Sequence, residues 1–178
     1  MYNNEENVDT SLPEGAKTSL TNEELDELAE THFPASYTYT VYNTETEQSD
    51  SGEYKSTNAD ENVISVSGDV KSTISGITVS KTGDSDGGDN TSFYGTNSAI
   101  IAKDGATLTI KNANITTNAT GANGVFSYGG SATTNNSSSD NTTINISDST
   151  ITTYKDNSGG IMTTGGGITN ATNLNVTT

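Results

Sequence analysis

Few side chains in this sequence are suited to catalysis, and most of those are aspartates. The chain has a single histidine, His32, no cysteine, and lysine as its only basic residue type. A lyase that acts on uronates needs a strongly basic side chain, usually Arg, and a glycosidase needs two carboxyl groups, one of them kept protonated. The eight aspartates after residue 61 mostly adjoin Gly, Asn or Ser, as turn-forming residues do. These residue types predict a protein that is not an enzyme.

One acidic stretch, residues 83–90, has the composition of a calcium site. Its side-chain oxygens alternate with other residues, and its glycines allow a tight turn, which suits the oxygen ligands that Ca²⁺ takes. The candidate ligands are Asp84, Asp86, Asp89 and Asn90. The stretch occurs once and lacks the terminal bidentate Glu of an EF-hand, so a solvated acidic turn is the alternative. Calcium is the one cofactor that the sequence suggests.

Four aromatic residues in or beside loops are candidates for ligand binding: Phe93, Tyr94, Tyr128 and Tyr154. Exposed rings of this kind can stack on the apolar faces of sugars while their polar edges stay in water. The chain has no Trp, which is the strongest stacking platform. The alternative is structural, with Phe93 and Tyr94 folding inward to anchor a long loop.

Composition and charge exclude several classes of protein. The 178 residues carry a formal net charge of −16, and only 29% of them are hydrophobic. Fifteen of the 23 acidic residues lie in the first 61, so the remainder is a nearly neutral body rich in Gly, Ser, Thr and Asn. A strongly negative chain repels nucleic acid and anionic lipid, and no run approaches the ~20 apolar residues of a membrane helix. Without cysteine there is neither a disulfide framework nor a thiolate zinc site.

The first 61 residues are predicted to form a tail and a cap. Residues 1–19 are polar and acidic, and we expect a mobile tail that lacks the basic and apolar segments of a secretory signal. A capping box predicts a helix over residues 22–31, and alternation of period two predicts a strand over 36–43. The segment 44–61 reads as an acidic loop, so that 20–61 together cover one end of the body.

Beyond residue 62 the sequence repeats with an offset of 36. Residues 107–117 align with residues 143–153, and the aligned apolar pairs are Leu108 with Ile144, Ile110 with Ile146, Ile115 with Ile151, Val125 with Ile161, Ile74 with Ile110, and Val79 with Ile115. Gly76, Asn112 and Asp148 then fall at one turn position, and these residue types tolerate a left-handed backbone.

The repeat predicts an all-β fold. A period of about 20–50 residues is typical of a solenoid, in which each turn buries its apolar side chains against the next. Three short strands per turn, separated by polar corners, predict a right-handed parallel β-helix over residues 62–178. Loops 82–97 and 129–142 account for the unequal spacing. A further copy is predicted to begin at Leu174 and Val176, at an offset of 30, so we expect more turns beyond the last residue.

Three stretches of this body resemble a known family. They are GDSDGGDNTSFYGTNSAII, GATLTIKNANITTNATGANGVFSYGG and SGGIMTTGGG, within a match that covers about residues 74–178. The phrases are similar to those of adhesin-like right-handed parallel β-helix proteins of bacterial surfaces, which are non-catalytic members of the pectate-lyase-like superfamily. The resemblance implies secretion, surface display, and a binding or scaffolding role. It brings no catalytic residues with it.

The leading hypothesis is a non-enzymatic extracellular adhesin-like protein that presents loops 82–97 and 129–142 to a glycan or another cell-surface partner. One alternative is the N-terminal part of a carbohydrate-active enzyme whose site lies in downstream turns. The others are a structural stalk and an ice-binding solenoid, the last suggested by Thr pairs on predicted strands. A signal peptide is not present in the sequence, and the composition favours a secreted protein whose leader has been left off over a cytosolic one.

Overall fold

The structure is a computed structural model of the chain, and it describes residues 52–130 and 142–178. The predicted tail over residues 1–19, the helix over 22–31 and the strand over 36–43 lie outside the described residues. Most of the loop predicted at 129–142 lies outside them as well.

The described part of the chain consists almost entirely of β-strands. A single helix of five residues, α1, interrupts them, and its bounds are Asp89–Phe93. The eleven strands are β1 (Glu53–Ser56), β2 (Ile64–Ser67), β3 (Lys71–Ser75), β4 (Thr78–Lys81), β5 (Ile100–Lys103), β6 (Thr107–Lys111), β7 (Asn114–Thr117), β8 (Val125–Tyr128), β9 (Thr143–Thr153), β10 (Ile161–Thr164) and β11 (Ile168–Thr177). The prediction of an all-β fold is confirmed.

The strands form two sheets, and within each sheet every strand pairing is parallel. The seven-stranded sheet has the order β1-β4-β7-β9-β6-β3, with β11 added to β9, and the four-stranded sheet has the order β10-β8-β5-β2. Strands that are consecutive in the chain are therefore not hydrogen-bonded neighbours. Parallel strands need a crossover between them, and here one or two further strands make part of each crossover.

The sequence offset of 36 is the register of four of the six pairings in the seven-stranded sheet, whereas β1 with β4 and β11 with β9 pair at an offset of 25. Leu108 lies opposite Ile144, and Ile110 lies opposite both Ile74 and Ile146. The four-stranded sheet has the same offset between β2 and β5 and between β8 and β10, but β5 pairs with β8 at an offset of 25. Equivalent apolar residues consequently stack on one another from strand to strand, as the alignment predicts.

The predicted left-handed corner is confirmed. Gly76, Asn112 and Asp148 have φ angles of 67°, 51° and 52°. Asn173 adopts the same conformation, with φ 52°, and its Nδ2 donates a hydrogen bond of 2.6 Å to Asp148 Oδ1. This bond lowers the pKa of Asp148, and a second one from Ser147 adds to the effect. The corner bends the chain between two strands of the seven-stranded sheet, β3 and β4 or β6 and β7. In β9 and β11 a single strand continues through the same bend.

The position predicted for the last copy of the repeat is wrong. Leu174 pairs with Ser149, and Val176 pairs with Ile151, so β11 lies on β9 at an offset of 25 and not 30. Only three residues separate β10 from β11, whereas fourteen separate β8 from β9. The residues that lie opposite Ile144 and Ile146 are Thr169 and Ala171, which are too small or too polar to be recognised as the aliphatic pair.

The parallel sheet also begins earlier than the sequence indicates. Glu53–Ser56, within the segment predicted to be a loop, forms β1 and pairs with β4. Tyr54 packs against the main core, while its neighbours Glu53 and Lys55 form an exposed ion pair of 3.1 Å. A single apolar residue in a charged, four-residue strand gives too little alternation to be recognised.

The main core is aliphatic and lies on one face of each sheet. Its buried side chains come from alternate strand positions, such as Ile74, Leu108, Ile110 and Ile144. We call this face of each sheet the inner face. Since successive residues of a strand point to opposite faces, Val125 faces the main core whereas Phe126 points to the outer face of the four-stranded sheet.

Within residues 52–130 and 142–178, no helix is both long and apolar enough to cross a membrane.

Candidate functional site

The connection from β4 to β5 carries an insertion. Seven residues connect β1 to β2, β7 to β8, and β9 to β10, whereas eighteen residues connect β4 to β5. The sequence predicts the insertion as the loop at 82–97, but it does not predict helix α1 inside it. The residue before the helix is Gly88, and no side chain caps the first turn, so the sequence carries no helix-start signal there. We call residues 82–97 the insertion loop.

The insertion loop packs on the outer face of the four-stranded sheet. Tyr94 and Met162 adjoin a second buried cluster formed by Ile101, Phe126 and Tyr128. The rings of Tyr94 and Tyr128 meet edge to face, with their centroids 5.7 Å apart and an interplanar angle of 74°. This geometry is a favoured arrangement of aromatic pairs. The loop therefore has a small core of its own.

Hydrogen bonds attach the insertion loop at both ends and in the middle. At its end, Asn97 Nδ2 donates to the backbone oxygens of Gly83 (2.8 Å) and Thr120 (3.3 Å). In the middle, Asn123 Nδ2 donates to Thr91 O (3.1 Å). Thr164 Oγ1 of β10 donates to Phe93 O (2.6 Å). Bonds to the β7–β8 connection and to β10 attach the loop to the body.

The four aromatic candidates divide into two exposed and two packed rings. Phe93 and Tyr154 are 56% and 57% exposed, and Tyr154 begins the connection that follows β9. Tyr94 is half-buried and Tyr128 is 7% exposed, and burial raises the pKa of Tyr128, with the neighbouring Tyr94 adding to the effect. Of the two residues considered as inward anchors of the loop, Tyr94 has that role and Phe93 does not. Exposed ring area for ligand stacking is provided by Phe93 and Tyr154.

Two of the four candidate calcium ligands, Asp84 and Asp86, use their carboxylates to bind other groups of the protein. Asp84 accepts a hydrogen bond from Thr120 N (2.8 Å) and forms an ion pair with Lys155 (3.0 Å), and these two contacts hold its pKa below the ordinary value. Asp86 Oδ1 accepts from Gly88 N (2.9 Å). Asp89 occupies the first turn of α1, and the backbone oxygen of Asn90 accepts from Thr96 N.

Across the described ranges, no three side chains of His, Cys, Asp or Glu are grouped so that they could hold a metal ion. The Asp84 carboxylate already has a lysine as its counter-charge. Calcium binding by this loop stays a prediction.

Sequence reasoning missed a fully buried lysine at the base of the insertion loop. Lys81 is the last residue of β4, and its Nζ donates to the backbone oxygens of Asn58 and Gly83, the latter at 3.1 Å. Burial lowers the pKa of Lys81 to about 8, although nearby Glu61 opposes the shift. A signal was available, because Lys81 aligns with Thr117 at an inward-facing position of the repeat.

The same region contains a buried carboxylate and several polar atoms without partners. Glu61 is buried and accepts hydrogen bonds from Ser56 Oγ (2.6 Å) and Asn58 Nδ2 (2.9 Å). Within the described part of the chain, four buried side-chain atoms have no hydrogen-bond partner, namely Asn62 Oδ1, Asn97 Oδ1, Ser98 Oγ and Thr117 Oγ1. Buried polar groups normally have hydrogen-bond partners, so the interior of this region is unusual in holding four polar atoms that lack them among the described residues.

Comparisons with protein-family models, curated proteins and solved structures found no match to this chain.

Proposed function

We propose that the chain is a segment of a right-handed parallel β-helix. The parallel register at an offset of 36 supports this proposal, since each residue of β6 lies between its equivalents in β3 and β9. The left-handed residues at Gly76, Asn112 and Asp148 support it as well, because a coil with regular turns needs the same bend in each turn. Aliphatic side chains stacked on the inner faces would form the narrow core of the coil.

We further propose that this β-helix acts by binding at a bacterial cell surface, with a glycan as the ligand class. The observation that carries the proposal is the insertion loop, which is held rigidly on the sheet and yet leaves the Phe93 ring more than half exposed. A binding surface fixed in advance loses little conformational entropy when a ligand binds, and an aromatic face suits a sugar ring. Tyr154 follows β9 directly and precedes Lys155, which contacts Asp84 near the start of the insertion loop.

The electrostatics of the described carboxyl groups agree with a binding role. An acid catalyst of glycoside hydrolysis needs a carboxyl group whose pKa is raised. Asp84 and Asp148 have pKa values that depart from the ordinary one, and hydrogen bonds lower both of them. Their environments favour the ionised form, which cannot donate a proton.

A glycan-array assay on the whole 178-residue chain tests the proposal. It compares the wild type with Phe93→Ala, Tyr154→Ala and the control Val176→Ala, which removes a 44% exposed aliphatic side chain from β11. We expect each aromatic variant to bind its glycan about tenfold more weakly, as the loss of one stacking contact implies, and the control to bind like the wild type. An array without a bound glycan, or aromatic variants that bind as tightly as the wild type, would refute the proposal.

The same assay with calcium and with a chelator tests the predicted metal ligands. Loss of binding in the chelator, reproduced by Asp86→Asn, would assign calcium to the insertion loop. Equal binding in both conditions would remove calcium from the account and leave the aromatic surface as the binding element.

A further inference from the structure

The base of the insertion loop brings an amine and a carboxamide to the same backbone oxygen. Lys81 Nζ lies 3.1 Å from Gly83 O, and Asn97 Nδ2 lies 2.8 Å from that same atom. Lys81 ends the strand that enters the loop, and Asn97 is the last residue of the loop. The two side-chain nitrogens therefore converge on one acceptor atom where the two ends of the loop come together.

The amine of Lys81 and the carboxamide of Asn97 are both buried, and the carboxamide oxygen lacks a hydrogen-bond partner among the described residues. Lys81 and Asn97 are fully buried. Within the described residues, Asn97 Oδ1 has no hydrogen-bond partner, whereas its Nδ2 has two. Because both side chains are buried, no solvent competes with a neighbouring amine for the carboxamide carbon.

The amine is available in its reactive form. A lysine amine is a nucleophile only when it is neutral, and desolvation is one of the ways in which proteins achieve this. Burial lowers the pKa of Lys81 to about 8. About a tenth of the side chains would then be neutral at pH 7, compared with less than about a thousandth for an ordinary lysine.

A buried carboxylate, Glu61, lies near Lys81. Glu61 is the acidic residue with the largest electrostatic effect on Lys81. It is also held in place, since its Oε2 accepts from Ser56 Oγ and from the side chain of Asn58, whose backbone oxygen contacts Lys81 Nζ. The region thus combines a nucleophile, an electrophilic carbonyl carbon and a group that can take up and return a proton.

We propose that Lys81 and Asn97 join spontaneously in an intramolecular amide bond between Nζ and Cγ. The neutral amine attacks Cγ of Asn97, and Glu61 takes the proton that the attacking nitrogen gives up. Returning that proton to Nδ2 lets the C–N bond of the carboxamide break, and ammonia leaves. One N–C bond forms and one breaks, one ammonia is released, and neither an oxidant nor a co-reactant is needed.

The bond would close the insertion loop covalently at its base. The last residue of β4 would be linked directly to Asn97, three residues before β5 begins, which limits how far the loop can open when the chain is pulled or attacked by a protease. This consequence is independent of the ligand and does not rest on the proposed glycan binding.

Mass spectrometry of the purified, folded chain, after incubation at pH 8, tests the proposal. We expect an intact mass below the sequence mass by one ammonia. Trypsin should fail to cut after Lys81, because its side chain is acylated, and residues 72–103 should appear as one peptide that lacks one ammonia. No basic residue other than Lys81 lies between Ser72 and Ala102. A chain of full sequence mass, or separate peptides 72–81 and 82–103, would overturn the proposal.

Peptide mapping also separates this bond from cyclisation at Asn123-Gly124, which would release ammonia without affecting residues 72–103. Glu61→Gln keeps the size of the side chain and should leave most of the protein uncross-linked under the same incubation. The control is Asp60→Asn, which removes a charge from the exposed neighbour, and it should cross-link like the wild type. Equal cross-linking in Glu61→Gln would overturn the role of Glu61. The wild-type mass decides whether the bond exists, even if that variant fails to fold.

Discussion

Replacement of Gly95 by Ala tests how closely the insertion loop approaches the sheet. Gly95 has φ +74°, and a Cβ at this position would lie 2.7 Å from Cγ and Cδ1 of Phe126 and 2.9 Å from Cδ1 of Ile101. The Phe126 ring is fully buried and cannot move aside without disturbing its neighbours. The variant should therefore be destabilised both by its backbone conformation and by overpacking.

The magnitude follows from these two contributions. A left-handed backbone costs a residue with a Cβ about 1 kcal/mol, and an extra methyl group in a packed cluster costs about 1–3 kcal/mol. The control is Gly68→Ala, where φ is +87° but no atom lies within 4 Å of the new Cβ. For a chain of this length each kcal/mol lowers Tm by roughly 2–4 °C, so we expect losses of roughly 4–16 °C for Gly95→Ala and 2–4 °C for Gly68→Ala.

Thermal unfolding followed by circular dichroism measures the difference. A second test combines Gly95→Ala with Phe126→Leu, which makes room for the methyl group, so the double variant should lose less stability than the sum of the two single ones. Equal losses for Gly95→Ala and Gly68→Ala, together with additivity in the double variant, would show that the loop does not pack on the sheet in this way.

Three further predictions concern charge, the corner and the core. The pKa of Asp84 lies below its ordinary value, so ionised Asp84 stabilises the folded state. This stabilisation is complete above about pH 4 and is lost as the pH falls through the folded-state pKa. Asp84→Asn should therefore flatten the dependence of Tm on pH between 5 and 2. Asn112→Gly should raise the free energy of unfolding by up to about 1 kcal/mol in urea titrations, because glycine adopts φ 51° without strain, whereas Asn112→Val should lower it. Ile110→Ala should cost about 2–5 kcal/mol in the same titrations, because Ile110 is fully buried in the main core, and Ile168→Ala, at a 38% exposed position, should cost below about 1 kcal/mol.

The register at an offset of 36 and the corner could be predicted from the sequence, because stacking imposes the same demand on each of the paired strands. An aliphatic side chain is needed wherever Ile110 meets Ile74 and Ile146, and a residue that tolerates positive φ is needed wherever Asn112 meets its equivalents. Where a smaller residue occupies an aliphatic position, the repeat can no longer be recognised in the sequence. Ala171 lies opposite Ile146 in β11, and without an aliphatic residue there the alignment moved to the wrong offset.

The candidate site could be predicted only in part, because the sequence reports the position of a side chain and not what covers it. The insertion loop was evident from its spacing, but the burial of Tyr128 depends on Tyr94 folding back from that loop. The surroundings of Lys81 depend likewise on Asn97 and Glu61, which are distant in the sequence from one another. Contacts between an irregular loop and a regular sheet leave no periodic signal.

The most direct test of the central proposal, that the chain coils so that equivalent strands of successive turns pair in parallel register, is disulfide formation between engineered cysteines. The chain has no cysteine of its own, so pairs can be introduced without a background. Thr109 and Asn145 are register partners on adjacent parallel strands, which lie about 4.8 Å apart. Their cysteine pair should oxidise rapidly in the folded protein, because that spacing suits a disulfide. The control pair at Thr109 and Ser147, two residues out of register, should not. Equal oxidation of both pairs, or none at Thr109 and Asn145, would contradict the account.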